Sequence, residues 1–296
     1  MQVSAYLKLS IGVAVATIAL KTGAWWLTDS VGLLSDALES LVNLAGATFA
    51  LMMVTVAAQP PDDDHPYGHH KAEYFSSGFE GVLILVAALG IIVAAALRFR
   101  DPQPLQSLGL GLTLSVISSA LNGALAWAML RKAREHRSMA LEADARHLVT
   151  DVWTSAGVVV ALVAVKFTGW LWLDPVIAIA LALNIAREGV LLVWASADGL
   201  MDRSLEEDVR LEIDRTLAGF AHATIRFDHI TTRRAGQRRF VDVHMHMPAG
   251  WSLGRAAALR TSVEQALMSA VPGLRASIQL LPLDVEAHLG DPRDML

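Results

Sequence analysis

One apolar segment of this chain contains the sequence Arg146-His147-Leu148-Val149-Thr150-Asp151. On a helix, His147 and Asp151 are four residues apart and therefore share one face. An imidazole and a carboxylate are costly to place in a helix long enough to cross a membrane, and such residues usually have a function there. The pattern predicts a membrane-spanning helix that presents two metal ligands.

A second pair of this kind lies in an earlier apolar segment. Glu39 and Asn43 are again four residues apart, and Asp36 lies one turn before Glu39. Two helices that each present an i, i+4 pair of nitrogen or oxygen ligands can enclose one divalent cation. The sequence therefore favours a metal transporter. We interpret Asp36 either as a hydrogen-bond acceptor that supports a ligand or as a charge at the end of a helix.

The composition is typical of a membrane protein. Of the 296 residues, 54% are hydrophobic and 18% are charged, whereas soluble domains contain about 25% charged residues. The formal net charge of -5 argues against a nucleic-acid partner. The chain has no cysteine, so disulfides and thiolate metal sites are excluded. Any metal must be bound by His, Asp, Glu, Asn or backbone oxygen.

Six apolar segments approach or exceed the length needed to cross a bilayer. They cover about 7–27, 31–58, 76–98, 106–130, 143–168 and 172–195. We expect Lys21, near the end of the first segment, to extend its ammonium group to the membrane surface. We expect the sixth helix to leave the lipid at Arg187 and Glu188.

The distribution of basic residues predicts the orientation. The fourth-to-fifth connection, 131–137, is the most basic short segment of the chain. Positively charged loops usually lie in the cytoplasm, which places both termini and the second-to-third loop on the cytoplasmic side as well.

That second-to-third loop contains a further group of possible ligands. Asp62, His65 and His69 follow two prolines that end the second helix, and they suggest a second divalent-metal site. The alternative is a solvated loop in which the histidines occur by chance.

From Met201 onward the sequence is that of a small soluble domain. The predicted order is α-β-β-α-β, with strands at about 224–232, 239–247 and 275–283 and a helix at about 252–270. We therefore predict a six-span transmembrane domain over about 1–200 and a ferredoxin-like α+β domain over about 201–296. Dimerisation would help so small a domain bury its sheet edge and apolar face.

These features together resemble the cation diffusion facilitator family, and most closely its bacterial zinc/iron-type members. The resemblance covers essentially the whole chain, and its most specific part is the loop from Gln59 to Glu73. It implies that the second and fifth spans carry the transport site, formed by Glu39, Asn43, His147 and Asp151. The usual second-span pattern of the family is two Asp, or His and Asp, so Glu39 and Asn43 are a departure from it.

The resemblance also implies residues outside the spans. The loop site corresponds to Asp62, His65 and His69, and a charge interlock corresponds to Lys71 and Asp202. The family's binuclear zinc site in the C-terminal domain corresponds to His229 and His244, with Leu259, Gln279 and Leu281 at its other positions. That site is therefore predicted to be reduced or lost, with His246 or His288 as substitutes; the alternative is that these are ordinary strand or solvated histidines.

The resemblance implies a homodimer in the bacterial inner membrane that exports divalent metal in exchange for protons. One imidazole and three oxygens suit Zn(II), and they also admit Fe(II), Mn(II), Co(II) or Cd(II). No HExxH or Walker A motif occurs, so we predict neither an enzyme nor ATP-driven transport, and no organic cofactor. A membrane metal sensor or scaffold that does not transport is the alternative function.

Overall fold

A computed structural model describes residues 3–136, 139–236 and 238–285 of the chain. Within these ranges the side chains of 3–8, 133–136 and 139–144 are left undescribed, and His288 lies outside the described residues. Six long helices are followed by a helix, two strands, a helix and a strand. Their bounds are α1 Val3–Thr28, α2 Val31–Ala57, α3 Ala72–Arg100, α4 Leu108–His136, α5 Met139–Thr168, α6 Leu173–Leu200, α7 Glu207–Ala218, β1 Arg226–Ala235, β2 Arg238–Met247, α8 Leu253–Ala270 and β3 Leu274–Pro282.

The first six helices are long and apolar enough to cross a membrane. Their 26 to 30 residues correspond to about 39–45 Å at 1.5 Å per residue, more than the roughly 30 Å of a hydrocarbon core. The prediction of six membrane-spanning helices and a C-terminal α/β domain is confirmed.

One detail of the predicted helices is wrong. Helix α4 continues to His136, so Arg131 and Lys132 lie in its last turns and not in a loop. Helix α6 continues to Leu200, and the point at which it leaves the lipid stays a prediction.

The chain divides into two compact units, 1–52 with 76–194 and 53–75 with 195–296. The domain boundary near residue 200 remains a prediction. In the first unit, residues of α4 and α5 form one buried apolar cluster around Met129 and Leu148. Residues of α2, α3 and α6 form another around Val31, Ile91 and Ala182.

Two glycines allow α3 and α6 to approach closely. A Cβ atom added at Gly81 would lie 2.8 Å from the carbonyl oxygen of Gly189, and one added at Gly189 would lie 3.0 Å from that of Gly81. Small residues at such crossings let helix backbones come into contact, which is a common way of packing helices in membranes.

The start of α2 is stabilised by an acid from another helix. Asp174, at the start of α6, is buried. Its carboxylate accepts hydrogen bonds from Ser30 Oγ at 2.6 Å and from the backbone N–H groups of Val31 and Gly32 at 2.9 and 3.2 Å. These N–H groups have no partners within their own helix, so Asp174 supplies the cap that α2 needs.

In the second unit, three strands form a mixed sheet in the order β1-β2-β3. Strands β1 and β2 are antiparallel, and β2 and β3 are parallel. The buried core of this unit includes Ile213 of α7, Leu267 of α8 and Met245 of β2. The register of β1 against β2 is interrupted between Asp228 and Thr231 by a bulge that contains His229.

We expect Asp174→Ala to lower the free energy of unfolding by about 1–3 kcal/mol, because it leaves buried donors at the start of α2 without an acceptor. Thermal unfolding of the detergent-solubilised protein measures this. Asp101→Ala is the control, since Asp101 is exposed and should have little effect. Equal melting temperatures for the two variants would contradict the capping role.

Candidate metal centre

The four residues predicted to form the transport site line one cavity in the first unit. Its volume is about 240 Å³, and α2, α3, α5 and α6 contribute to its wall. Glu39 and Asn43 enter it from α2, and His147 and Asp151 enter it from α5. The i, i+4 spacing therefore places both pairs on walls of the same space. Among the described residues, donor atoms of three His, Asp or Glu residues lie within 4.8 Å of one another at two places. Neither of these places is in this cavity.

The same cavity contains two acids that the sequence analysis did not select. Glu80 of α3 and Glu188 of α6 line it, together with Asn184. Each lies inside an apolar helix, and this was the signal that could have identified them. The cavity can therefore offer a cation four carboxylates, two amides and an imidazole.

A second cavity of about 290 Å³ meets the site from the side of α1 and α4. Asn43, His147 and Asp151 line this cavity as well, and Asn122 of α4 lines its far wall. The side-chain oxygen of Asn122 is buried and has no hydrogen-bond partner among the described residues. Three of the four candidate ligands thus line both cavities.

Lys21 and Asp36 form a buried ion pair, contrary to the expectation that Lys21 extends to the membrane surface. Lys21 is 1% exposed and Asp36 is 2% exposed. Lys21 Nζ lies 2.8 Å from Asp36 Oδ1 and 2.9 Å from Ser40 Oγ. Ser155 Oγ of α5 donates to the same carboxylate oxygen at 2.8 Å. Lys21 does not extend to the surface because its ammonium group has these partners inside the helix bundle.

The predicted loop site is compact. His65 Nδ1 lies 3.2 Å from Asp62 Oδ1, and His69 Nε2 lies 3.2 Å from Asp62 Oδ2. The two facing imidazole nitrogens are 3.1 Å apart, and all three donor atoms lie within 4.8 Å of one another. The backbone N–H of His65, with further help from both imidazoles, holds the pKa of Asp62 below its ordinary value.

Lys71 and Asp202, the residues of the predicted charge interlock, lie in contact. Lys71 Nζ is 3.0 Å from Asp202 Oδ2, and Arg233, which the sequence analysis did not select, is 3.3 Å from Asp202 Oδ1. Partial burial raises the pKa of Asp202, but the hydrogen bonds from Lys71 and Arg233 outweigh it and leave the pKa below its ordinary value.

In the C-terminal unit, the structure brings a different set together from the one predicted. The ring of His229 stacks on that of His244, with centroids 4.6 Å apart. The close donor group, however, consists of Asp228, His244 and His246. His246 is one of the predicted substitute ligands, whereas Asp228 is not among the predicted residues. Alternation along β2 places His244 and His246 on one face, which was the available signal.

Comparison with known proteins agrees with this architecture. The chain matches the family model of the cation efflux transmembrane domain over residues 7–201. It also matches the model of the cation efflux protein cytoplasmic domain over residues 205–283.

Two relatives are similar over most of their length. The uncharacterised transporter sll1263 of Synechocystis sp. is 45% identical over 279 residues, which is 94% of this chain and 90% of that protein. The cation-efflux pump FieF of Yersinia pestis is 32% identical over 276 residues, 92% of this chain and 91% of that protein. The solved metal-bound C-terminal domain of the CzcD transporter from Thermotoga maritima is 16% identical and covers 28% of this chain and 100% of that domain, with a TM-score of 0.26.

Six membrane-spanning helices with an acid-lined cavity and a separate α/β domain define a multi-pass membrane transporter rather than an enzyme. The chain belongs to the cation efflux, or cation diffusion facilitator, family.

We expect Lys21→Met to lower the free energy of unfolding by about 3–5 kcal/mol, because the buried Asp36 carboxylate loses its countercharge. The double variant Lys21→Met, Asp36→Asn should recover much of this loss, since neither charge is then buried. Thermal unfolding in detergent compares the three proteins. A double variant no more stable than the single one would show that the ion pair is not the source of the effect.

We expect metal binding at the loop site to weaken on acidification through about pH 6.5, where histidine side chains ordinarily gain a proton. The lowered pKa of Asp62 keeps this carboxylate ionised there, so Asp62→Asn should reduce affinity because the ion loses a negatively charged ligand. Zn(II) titration of full-length protein carrying Asp151→Asn measures this, with Asp63→Asn as the control. A midpoint near pH 4 would instead identify the carboxylate as the group that competes with metal.

Proposed function

We propose that this protein is a homodimeric antiporter that exports a divalent metal ion, Zn(II) in the first place, in exchange for protons by alternating access. The observation that carries the proposal is the cavity shared by Glu39, Asn43, His147 and Asp151. Four polar side chains from two helices at one cavity inside a membrane-spanning unit require a polar occupant.

The chemistry of these residues supports proton exchange. A metal ion binds only the neutral form of an imidazole and the ionised form of a carboxylate, so protons and metal compete for the same atoms. Histidine ordinarily titrates near pH 6.5, and it is therefore the residue type best suited to exchange a proton for a metal near neutral pH. His147 carries this role in the proposed cycle, with Glu39 and Asp151 supplying the negative charge.

The donor set favours Zn(II) as the substrate, with related divalent ions as alternative substrates. One imidazole and three oxygens suit a tetrahedral zinc ion. Asn43 contributes a neutral oxygen where the family commonly has a carboxylate, so the four residues carry less negative charge and more oxygen than a His-rich site. Harder ions such as Fe(II) and Mn(II), and also Co(II) and Cd(II), are the alternative substrates.

The proposed orientation has both termini in the cytoplasm of a bacterial inner membrane. It is supported by the basic residues at the end of α4, because short segments rich in Lys and Arg usually lie on the cytoplasmic side of a membrane. The loop ligands Asp62, His65 and His69 then face the cytoplasm, where they can collect metal before transport. In this proposal, the contact of Lys71 with Asp202 ties the loop to the end of α6.

A sensor or scaffold that does not transport is the second candidate. It is favoured by the donor group in the C-terminal unit, which requires no transport. It leaves unexplained why Glu39, Glu80, Asp151 and Glu188 all line one cavity within membrane-spanning helices.

Metal flux into proteoliposomes under an imposed pH gradient tests the proposal. Zn(II), Fe(II), Mn(II), Co(II) and Cd(II) are compared, and Asp151→Ala is expected to abolish a flux that depends on the gradient. Asp101→Ala, which alters an exposed acid outside the cavity, should transport normally. The ion with the fastest flux identifies the preferred substrate.

Flux that is independent of pH between 6 and 8 would exclude proton exchange. No flux for any ion, with metal still bound by the protein, would favour the sensor or scaffold.

A further inference from the structure

We propose that one face of α4 lines a hydrated path, separate from the first cavity, that brings water and protons to the candidate ligands. The face consists of Ser115, Ser118 and Asn122. The path runs from the second cavity of the membrane-spanning unit towards the start of α4. Its role in supplying protons rests on the proposed antiport, whereas its hydration does not.

The polar side chains of this face lack hydrogen-bond partners. Ser115 and Ser118 are 0% exposed, and Asn122 is 2% exposed. Among the described residues, no group bonds to either serine Oγ or to the side-chain oxygen of Asn122. A hydroxyl in a helix can donate to the carbonyl four residues earlier, as Thr113 does to Gly109 at 2.8 Å, but these two serines do not. Buried polar groups without a protein partner usually bind ordered water.

Helical spacing aligns the three groups along α4. They lie at positions i, i+3 and i+7, which share one side of a helix. Successive groups are separated by about 4.5 and 6 Å along the helix axis, gaps that one water molecule with two hydrogen bonds of about 2.8 Å each can bridge. Beyond Asn122 the buried face continues with Ala126 and Met129, which belong to an apolar cluster. The polar part of the face therefore ends at the cavity.

Asn122 connects this face to the candidate ligands. It lines the second cavity, of about 290 Å³, together with His147 and Asp151. This volume has room for several water molecules, each of which takes up about 30 Å³ in the liquid. The wall of the first cavity is formed by α2, α3, α5 and α6 and does not include α4. Water on the α4 side therefore reaches His147 and Asp151 without passing through the first cavity.

The other end of the face approaches the turn between α1 and α2. The backbone N–H of Gln106, just before α4, donates to the carbonyl oxygen of Thr28 at 3.2 Å. A Cβ atom added at Gly111 would overlap with the side chain of Thr28, so α4 packs tightly on the end of α1 there. Ser115 follows one turn later on the same side of α4. The path ends at this contact, which lies at the outer surface in the proposed orientation. In the proposed antiport, protons enter when the contact opens.

The ion pair of Lys21 with Asp36 lies at the same level of the unit. Lys21 lies on α1 between Thr28, which contacts the start of α4, and Thr17, which lines the second cavity with Asn122. Asp36 Oδ1 is bonded to Lys21, whereas the buried Oδ2 has no hydrogen-bond partner in the part of the chain that the structure describes. A buried carboxylate oxygen needs a donor. In this proposal, water beside the α4 serines supplies it.

Exchange of a single thiol with heavy water tests the hydration of the path. The chain has no cysteine, so Ser115→Cys and Ser118→Cys each introduce one S–H group, whose infrared stretching band no other residue contributes. We expect this band to shift to the S–D frequency as soon as vesicles that contain the full-length protein are mixed with heavy water. Ala126→Cys is the matched control, because Ala126 lies on the same face of α4 within the apolar cluster.

The control thiol should exchange about tenfold or more slowly, since it needs a local opening of the helices to meet water. Cysteine is nearly isosteric with serine, so these variants should fold. Equal exchange rates at positions 115, 118 and 126 would overturn the proposal. In that case the serines are small residues that let α4 pack closely without water, as is common between membrane helices.

The proton role is tested by Asn122→Leu, which keeps the approximate size of the side chain and removes the amide. We expect the proton flux that accompanies Zn(II) transport in proteoliposomes to fall by about tenfold or more, with the Zn(II) affinity within about twofold of the wild-type value. Asn122→Gln retains an amide and should retain most of the flux. A pH-sensitive dye inside the vesicles measures the proton flux. An unchanged flux for Asn122→Leu would exclude this path as the route of the protons.

Failure of this proposal can be distinguished from failure of the proposed antiport. Thiol exchange requires no transport, so fast exchange in a protein that shows no metal flux would contradict the antiport and support the hydrated path. Slow exchange at both serines in a protein with normal antiport would overturn the path. The protons would then reach His147 and Asp151 through the first cavity.

Discussion

A charged side chain in the hydrocarbon of a bilayer requires a partner, and this constraint governs the membrane-spanning unit. Lys21 and Asp36 satisfy it with an ion pair that Ser155 completes from α5. Asp36 lies one turn from Glu39 on α2, and Ser155 lies one turn from Asp151 on α5. The pair therefore joins α1 to the two helices that carry the candidate ligands, at the level next to the cavity. The hydrogen bond from Ser155 to Asp36 links α5 directly to α2.

The polar residues of the unit fall into two groups with different consequences. Lys21, Asp36 and Asp174 are buried and bonded to protein groups, so their cost is offset by contacts that fix the helices. Glu39 and Asp151, by contrast, line a cavity together with further acids. Side chains of the first kind account for the structure. Those of the second kind need a cation or protons to balance their charge, and the proposed function rests on them.

The sequence predicted what depends on spacing along one helix or strand. The pairs Glu39 with Asn43 and His147 with Asp151, the six spans and the order of the C-terminal elements all follow from local periodicity. It did not predict contacts between distant elements, such as Lys21 with Asp36 or Asp202 with Arg233, because these depend on how helices and strands pack. It also did not select Glu188 as a cavity residue for a related reason: only the packing of the neighbouring helices shows the cavity that this side chain lines.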